Sequence, residues 1–166
     1  MREVGTALEL RDAVLAESEA ADVVIMAAAV ADFRPKAAAA GKLKKAEGAP
    51  DIVLEPTPDI LAGLGARKPA GQVLVGFAAE TANLVANAEA KLRAKRLDLI
   101  VANDVSAPGV GFAHDTNAVT LLRPGMHPRE VGLTDKLAVA SAVIDEIVGI
   151  RNQPKQPEPP LQGDQT

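Results

Sequence analysis

Apolar positions in this chain fall into short runs separated by charged, proline-bearing or glycine-bearing punctuation. The first clear run is Val23-Val24-Ile25-Met26-Ala27-Ala28-Ala29-Val30, and it predicts a strand over 22–30. It is too short to span a membrane and suits a strand buried on both faces. Asp32-Phe33-Arg34-Pro35 ends it with charges and a proline. Two more such runs predict strands at 73–77 and 97–102, and a further strand follows at 118–122. A short strand at 51–54 pairs with 43–45 as a two-stranded flap in this reading.

Between the strands the period changes to that of a helix. Thr6 is placed to N-cap a helix over 7–18, with Glu9 completing a capping box and Leu8, Val14 and Leu15 on the apolar face. Thr57, Pro58 and Asp59 read as an N-cap, a first helical position and a carboxylate at the positive helix end. The longest helix is expected over 78–96, with Glu80 and Thr81 at its start and Leu84, Val85, Ala88 and Leu92 as its buried stripe. Thr134 is expected to cap a last helix over 135–150, buried through Leu137, Val139, Ala140, Val143, Ile144 and Ile147. Strands alternating with helices predict an α/β protein with a doubly wound, mostly parallel sheet. Its polar strand ends, Asp32, residues 77–81 and Asn103-Asp104, then converge on one edge, where open α/β sheets bind ligands.

Composition narrows the function. The 166 residues fit one domain, 1–150, followed by a proline-rich tail, 151–166, expected to be disordered. A net charge of −4 and 2% aromatic residues argue against a general nucleic-acid binder. No cysteine is present, which removes disulfides and thiolate chemistry, and two histidines are too few for a typical zinc site. No secretory signal or membrane span is visible, so a cytoplasmic location is expected.

The candidate chemistry sits after the first strand. Residues 37–41 are alanines and a glycine, and Lys42, Lys44 and Lys45 follow. A small-residue arm ending in lysines suits a polyphosphate, because lysine is a flexible point charge; a solvated charge run is the alternative. Asp32 reads either as a ligand-facing carboxylate or as half of an ion pair with Arg34. Phe77 reads as core or as a face for a base or sugar. Lys91 and Lys95 flank the apolar stripe of the long helix, and ordinary snorkelling accounts for that placement as well. A helix leaving Phe77 carries residues 91–95 about 20 Å from that strand end, so one ligand touches both only by lying along the helix. His114 and His127 read as surface loop residues, the former in a glycine-containing loop over 109–117.

Six ordered motifs, AAAVADFRP (27–35), KLKK (42–45), PTPDIL (56–61), GFAAET (76–81), KLRAKRLDLIVANDV (91–105) and GFAHDTNAVTLL (111–122), resemble the phosphopantothenoylcysteine synthetase family. The resemblance spans about residues 3–150. It implies a Rossmann-like domain with an arm used for homodimerisation. It also implies a ligase that takes CTP, with Mg²⁺, to activate 4′-phosphopantothenate as an acyl-cytidylate, which the amine of L-cysteine then attacks. On this resemblance Met26, Ala27, Ala28, Asp32, Pro58, Asp59, Ile60, Leu61, Phe77, Lys91 and Lys95 contact the nucleotide, and Lys42 is the catalytic lysine of the arm. No side chain is assigned to a metal. The family's opening strand and N-x-S-S-G-K loop have no counterpart here, so the chain is expected to be an incomplete ligase. The base, cytosine or adenine, stays open. So do two other readings, a non-catalytic nucleotide- or flavin-binding module and an inactive fragment that completes a dimer.

Overall fold

The computed structural model describes residues 1–37, 41–42, 48, 50–104 and 116–153. Lys44, Lys45, the 43–45 half of the expected flap, His114, most of the 109–117 loop and residues 154–166 of the expected tail lie outside them.

Thr6 and Glu9 open α1 (Ala7–Ser18) with the expected capping box. Thr6 Oγ1 accepts from Glu9 N–H at 3.2 Å, and Glu9 Oε2 accepts from the N–H groups of Gly5 and Thr6 at 2.7 and 3.0 Å. The chain then forms β1 (Val23–Met26), β2 (Phe33–Pro35), β3 (Leu54–Pro56), α2 (Ile60–Arg67), β4 (Val73–Glu80), α3 (Leu84–Ala94), β5 (Leu99–Asp104), β6 (Thr116–Leu122), β7 (Arg129–Asp135) and α4 (Lys136–Asn152).

The main sheet has the order β1-β4-β5-β6-β7. β1, β4 and β5 run parallel, and β6 and β7 complete it antiparallel. This is the Rossmann-like α/β class that the strand–helix alternation predicts. β1 pairs directly with β4, from Val23 opposite Val73 to Met26 opposite Gly76, so no gap separates the first two parallel strands. Its far edge pairs with no strand among the described residues.

The pleat sorts the core into two faces. Leu74, Ile100, Ala102 and Leu122 pack on one side against Ile60 and Leu64 of α2 and Ala88 and Leu92 of α3. Val75, Val101, Val119 and Leu121 pack on the other against Val139, Ala142, Val143 and Ile147 of α4. At the base of the sheet, Gln72 Nε2 donates to the carbonyls of Ser18 and Ala21, both at 2.7 Å, tying the end of α1 to the start of β4. Asp98 accepts from Leu74 N–H and from Lys68 Nζ at 2.7 Å, fixing the entry to β5.

Several boundaries differ from the sequence expectation. β1 ends at Met26, and residues 27–31 form a rim with no strand pairing. The small two-stranded sheet is Phe33–Pro35 against Leu54–Pro56, not the expected flap strand over 51–54. Asp59 rather than Thr57 caps α2, its carboxylate accepting from Ala62 N–H at 2.9 Å. β4 runs on to Glu80 because Ala79 and Glu80 stay in register with Asn103 and Asp104 of β5, so α3 starts six residues later than expected, at Leu84 rather than 78. β7 was not foreseen, and Asp135 rather than Thr134 caps α4. On the helices, Val85, Leu137, Ala140 and Ile144 are exposed rather than buried.

Candidate functional site

The C-terminal ends of the three parallel strands open into a crevice of about 450 Å³. β1 delivers Met26 and the rim that follows it to Asp32, the small sheet delivers Thr57, and the start of α2 delivers Pro58, Asp59, Ile60 and Leu61. Phe77, Ala78 and Ala79 enter from β4 and Asn103 from β5. Lys95, Asn117 and Lys136 complete the lining.

The rim is held by backbone bonds. Thr57 N–H donates to the Asp32 carbonyl at 2.8 Å, fixing that carbonyl beside the entrance to α2. The Asp32 carboxylate is exposed, and Arg34 is committed to Glu55 at 2.6 Å. The Asp32–Arg34 ion pair is therefore not formed, and Asp32 has no ion pair among the described residues. Thr57 Oγ1 is buried in the lining without a hydrogen-bond partner among the described residues. Phe77 is 41% exposed and lines the crevice rather than the core.

Lys95 reaches the crevice by a route that helix length alone does not show. α3 ends in a Schellman arrangement: Leu97 N–H donates to the Leu92 carbonyl at 2.9 Å and Arg96 N–H to the Arg93 carbonyl, with Arg96 in the left-handed region at φ 51°. This turn lays the Lys95 carbonyl against α2, so close to Gly65 that an added Cβ would lie 1.9 Å from it. The Lys95 side chain then runs back along α2, and its ammonium meets Asp59 Oδ2 at 2.9 Å. The end of α3 and α2 together thus bring the Lys95 ammonium to the crevice that Phe77 also lines, so the expected separation along the helix does not keep the two residues from one site. Burial alone pushes the Asp59 carboxyl up, but bonds from Ala62 N–H and Lys95 outweigh it and hold Asp59 below the usual carboxylate range.

Lys91 does not line the crevice. Its ammonium bonds Glu80 Oε1 at 2.6 Å, and Asn87 Nδ2 donates to Glu80 Oε2 at 3.0 Å. Burial raises the Glu80 carboxyl, yet Lys91 and Asn87 bring it below its ordinary value. Lys42 is exposed and is not among the crevice-lining residues. The structure therefore gathers Met26, Ala27, Ala28, Asp32, Pro58, Asp59, Ile60, Leu61, Phe77 and Lys95, and leaves Lys42 and Lys91 outside that lining. Sequence reasoning missed Thr57, Asn117 and Lys136 as lining residues and used Asn103 only as punctuation. For Asn103, its place at the end of an apolar parallel strand was the available signal. Asn117 and Lys136 arrive through antiparallel pairing that no local pattern announces.

Among the described residues no group of three His, Cys, Asp or Glu side chains is placed to hold a metal ion, and no helix is long and apolar enough to cross a membrane. An apolar wall, the Phe77 side chain and a helix start with an anchored ammonium suit a ligand with a flat ring and an anionic group, while the exposed Asp32 carboxylate suits a metal ion or a hydrogen-bond donor on that ligand.

Known proteins resemble this arrangement in sequence and in fold. The coenzyme A biosynthesis bifunctional protein CoaBC of Bacillus subtilis (strain 168) is 47% identical over 150 residues, covering 90% of this chain and 37% of that protein. A cysteine/cysteine sulfinic acid decarboxylase from an unknown prokaryotic organism is 40% identical over 146 residues, covering 88% of this chain and 41% of that protein. The crystal structure of the C-terminal domain of a coenzyme A biosynthesis bifunctional protein CoaBC superposes with a TM-score of 0.72 at 37% identity, covering 90% of this chain and 64% of that domain. The chain thus spans well under half of the curated relatives and about two-thirds of the solved domain. The pattern of the DNA/pantothenate metabolism flavoprotein C-terminal domain matches residues 1–150, and the chain belongs to that family.

Proposed function

We propose that the crevice is the nucleotide site of a phosphopantothenate–cysteine ligase. The observation that carries this reading is the convergence of Asp32, Asp59, Phe77 and Lys95 on one strand-end crevice, from four separate stretches of sequence. Phe77 offers a face to the base, and the anchored Lys95 and the start of α2 offer positive potential to an anionic group. CTP binds here with 4′-phosphopantothenate beside it. A carboxylate oxygen of the acid attacks the α-phosphorus, pyrophosphate leaves, and an acyl-cytidylate forms. The cysteine amine then attacks the acyl carbon, and CMP leaves with the former carboxylate oxygen.

Magnesium accompanies the triphosphate in this reading and supplies charge neutralisation on the phosphates. A Mg²⁺ ion bound mainly by phosphates and water needs only one or two protein carboxylates. Asp32, exposed in the lining and free of an ion pair among the described residues, fits that need. Lys42, which follows β2 in the chain, supports the triphosphate in this reading. A second copy of the chain is the expected partner of that arm.

The test is pyrophosphate release by the full chain. It should require CTP and 4′-phosphopantothenate together, and ATP should support it poorly. Release with nucleotide alone, or saturable nucleotide binding with no turnover under any combination of substrates, would point instead to a nucleotide-binding module.

A further inference from the structure

The crevice is held in part by a cluster that does not line it. β1 stops pairing with β4 at Met26 opposite Gly76, while β4 stays paired with β5 as far as Glu80 opposite Asp104. Residues 77–80 therefore have a strand on one side only, and Phe77, Ala78 and Ala79 of that stretch line the crevice. Val75 packs on the α4 face of the sheet, and Leu74 and Ala78 pack on the face of α2 and α3. By the same period Phe77 and Ala79 belong to the α4 face and Glu80 to the α3 face.

Glu80 is buried. A buried carboxylate is costly unless its oxygens are bonded, and both are. Lys91 Nζ donates to Oε1 at 2.6 Å and Asn87 Nδ2 to Oε2 at 3.0 Å, from positions eleven and seven residues further along the chain. Asn87 Nδ2 also donates to the Ala82 carbonyl at 3.0 Å. Asn83, at the start of α3, is left-handed at φ 49° and makes no side-chain cap. The turn from β4 into α3 is thus closed from the helix, by Asn87 and Lys91 reaching back to the strand end. Stability does not require an ion pair here. Replacing a buried ion pair by apolar side chains of similar volume is often neutral or stabilising, and Ala78, two residues earlier on the same face, packs in the core with no polar side chain. What the carboxylate adds is direction, because two donors at fixed places allow it one orientation while an apolar side chain at a strand end can slide.

We propose that Glu80 is a positioning residue of the nucleotide site: held by Asn87 and Lys91, it fixes the one-sided end of β4 and so sets where Phe77 meets the base. This rests on the nucleotide reading above and deepens it by naming what aligns its strand end. Glu80 touches no ligand. It acts through the backbone of residues 77–80, anchored on the α3 face so that Phe77 is presented from the other.

The experiment is a double-mutant cycle on CTP affinity, measured by calorimetry on the full chain with Mg²⁺. Glu80→Met keeps the length of the side chain and removes its charge and both bonds. Phe77→Leu keeps an apolar side chain and removes the ring. Glu80→Met should weaken CTP at least about fivefold more beside Phe77 than in the Phe77→Leu background, because a displaced ring is lost only where there is a ring. Any change that the freed Lys91 ammonium makes at the phosphates is common to both backgrounds and cancels. Urea unfolding should place Glu80→Met close to the wild type, as a purely structural pin would not. Glu80→Gln keeps the size and one acceptor oxygen, should show the same coupling in smaller measure, and carries the cycle if Glu80→Met does not fold. Unchanged CTP affinity in these variants, or equal weakening in both backgrounds, would overturn the proposal; equal weakening with a large loss of stability would make the cluster a pin for folding alone. The wild type tests the underlying reading separately. If it binds CTP and the cycle is additive, only the positioning role falls; if it binds no CTP, the nucleotide reading falls and the positioning role with it.

Discussion

Two side chains that read alike in sequence behave differently in the fold. Lys91 and Lys95 are four apart on one helix, yet Lys91 is tied to Glu80 and Lys95 to Asp59 at the crevice. The difference comes from partners distant in sequence, which no helical wheel contains. Asp32 was open to two readings, and the Arg34–Glu55 pair removes one of them. A carboxylate in the lining without its own cation does not favour an anionic ligand unless a metal ion or a hydrogen-bond donor on the ligand lies between. Asp32→Asn keeps the shape and removes the charge. It should weaken CTP about tenfold in the presence of Mg²⁺, equivalent to roughly 1.4 kcal/mol, and much less without Mg²⁺. Calorimetry giving equal affinities for both proteins with Mg²⁺ would make Asp32 a solvated rim residue.

At the scale of elements, α2 decides where Lys95 sits. Gly65 lets the end of α3 approach, and an added methyl would meet the Lys95 carbonyl at 1.9 Å, a contact with backbone that cannot swing away. Gly65→Ala should cost about 1–3 kcal/mol and weaken CTP as well, because Lys95 moves with its backbone. Two residues earlier on the same helix, Gly63 has open space, so Gly63→Ala should stabilise by up to about 1 kcal/mol through helix propensity alone. Urea unfolding of the pair separates close packing from propensity: equal shifts for both would mean that α2 and α3 are not packed this tightly.

The second element-scale test concerns α4. Glu146 bonds Arg129 at 2.7 Å and Arg123 at 3.3 Å, and Arg129, then Arg123, hold its carboxyl below the ordinary value against the opposing effect of burial. Because the folded value is depressed, this contribution is complete above the ordinary glutamate value and is lost as pH falls through the folded one. Glu146→Gln should therefore cost about 2 kcal/mol at neutral pH, with the gap to wild type narrowing below about pH 4.5. A gap independent of pH would show that packing, not charge, makes the difference.

What the sequence shows clearly is what nearest neighbours decide. The Thr6–Glu9 box closes within three residues, and the apolar runs of β4 and β5 announce strands buried on both faces. Boundaries set by pairing were hidden. Nothing in Ala78–Glu80 says strand until β5 lies beside it, and Arg129–Asp135 alternates too weakly to announce β7. The crevice was legible where strand ends punctuate the sequence and illegible where antiparallel strands and α4 bring in Asn117 and Lys136.

At the scale of the molecule, the sheet grades from a sealed centre to an open edge, and the site straddles that gradient. Leu74, Val75, Leu99 and Val101 are fully buried, with strands on both sides and helices over both faces. β1 is paired on one side only among the described residues, and its Ile25 is 43% exposed. β2 and β3 form a separate two-stranded sheet, an arrangement with little stability of its own. Local opening follows burial and pairing, so amide hydrogen exchange should be slowest at 74–76 and 99–102, faster in β1, and fastest of the strands in β2 and β3. CTP at excess over its Kd should slow the amides of 26–28 and 59–61 more than those of β6 and β7, because ligand binding stabilises the conformation that binds it. β1 exchanging as slowly as β5 in the free protein would contradict an open edge. Repeating the measurement across protein concentrations then identifies the cover: slowing that fades on dilution means a second copy of the chain lies along β1, and slowing that persists means that the edge is sealed within one chain.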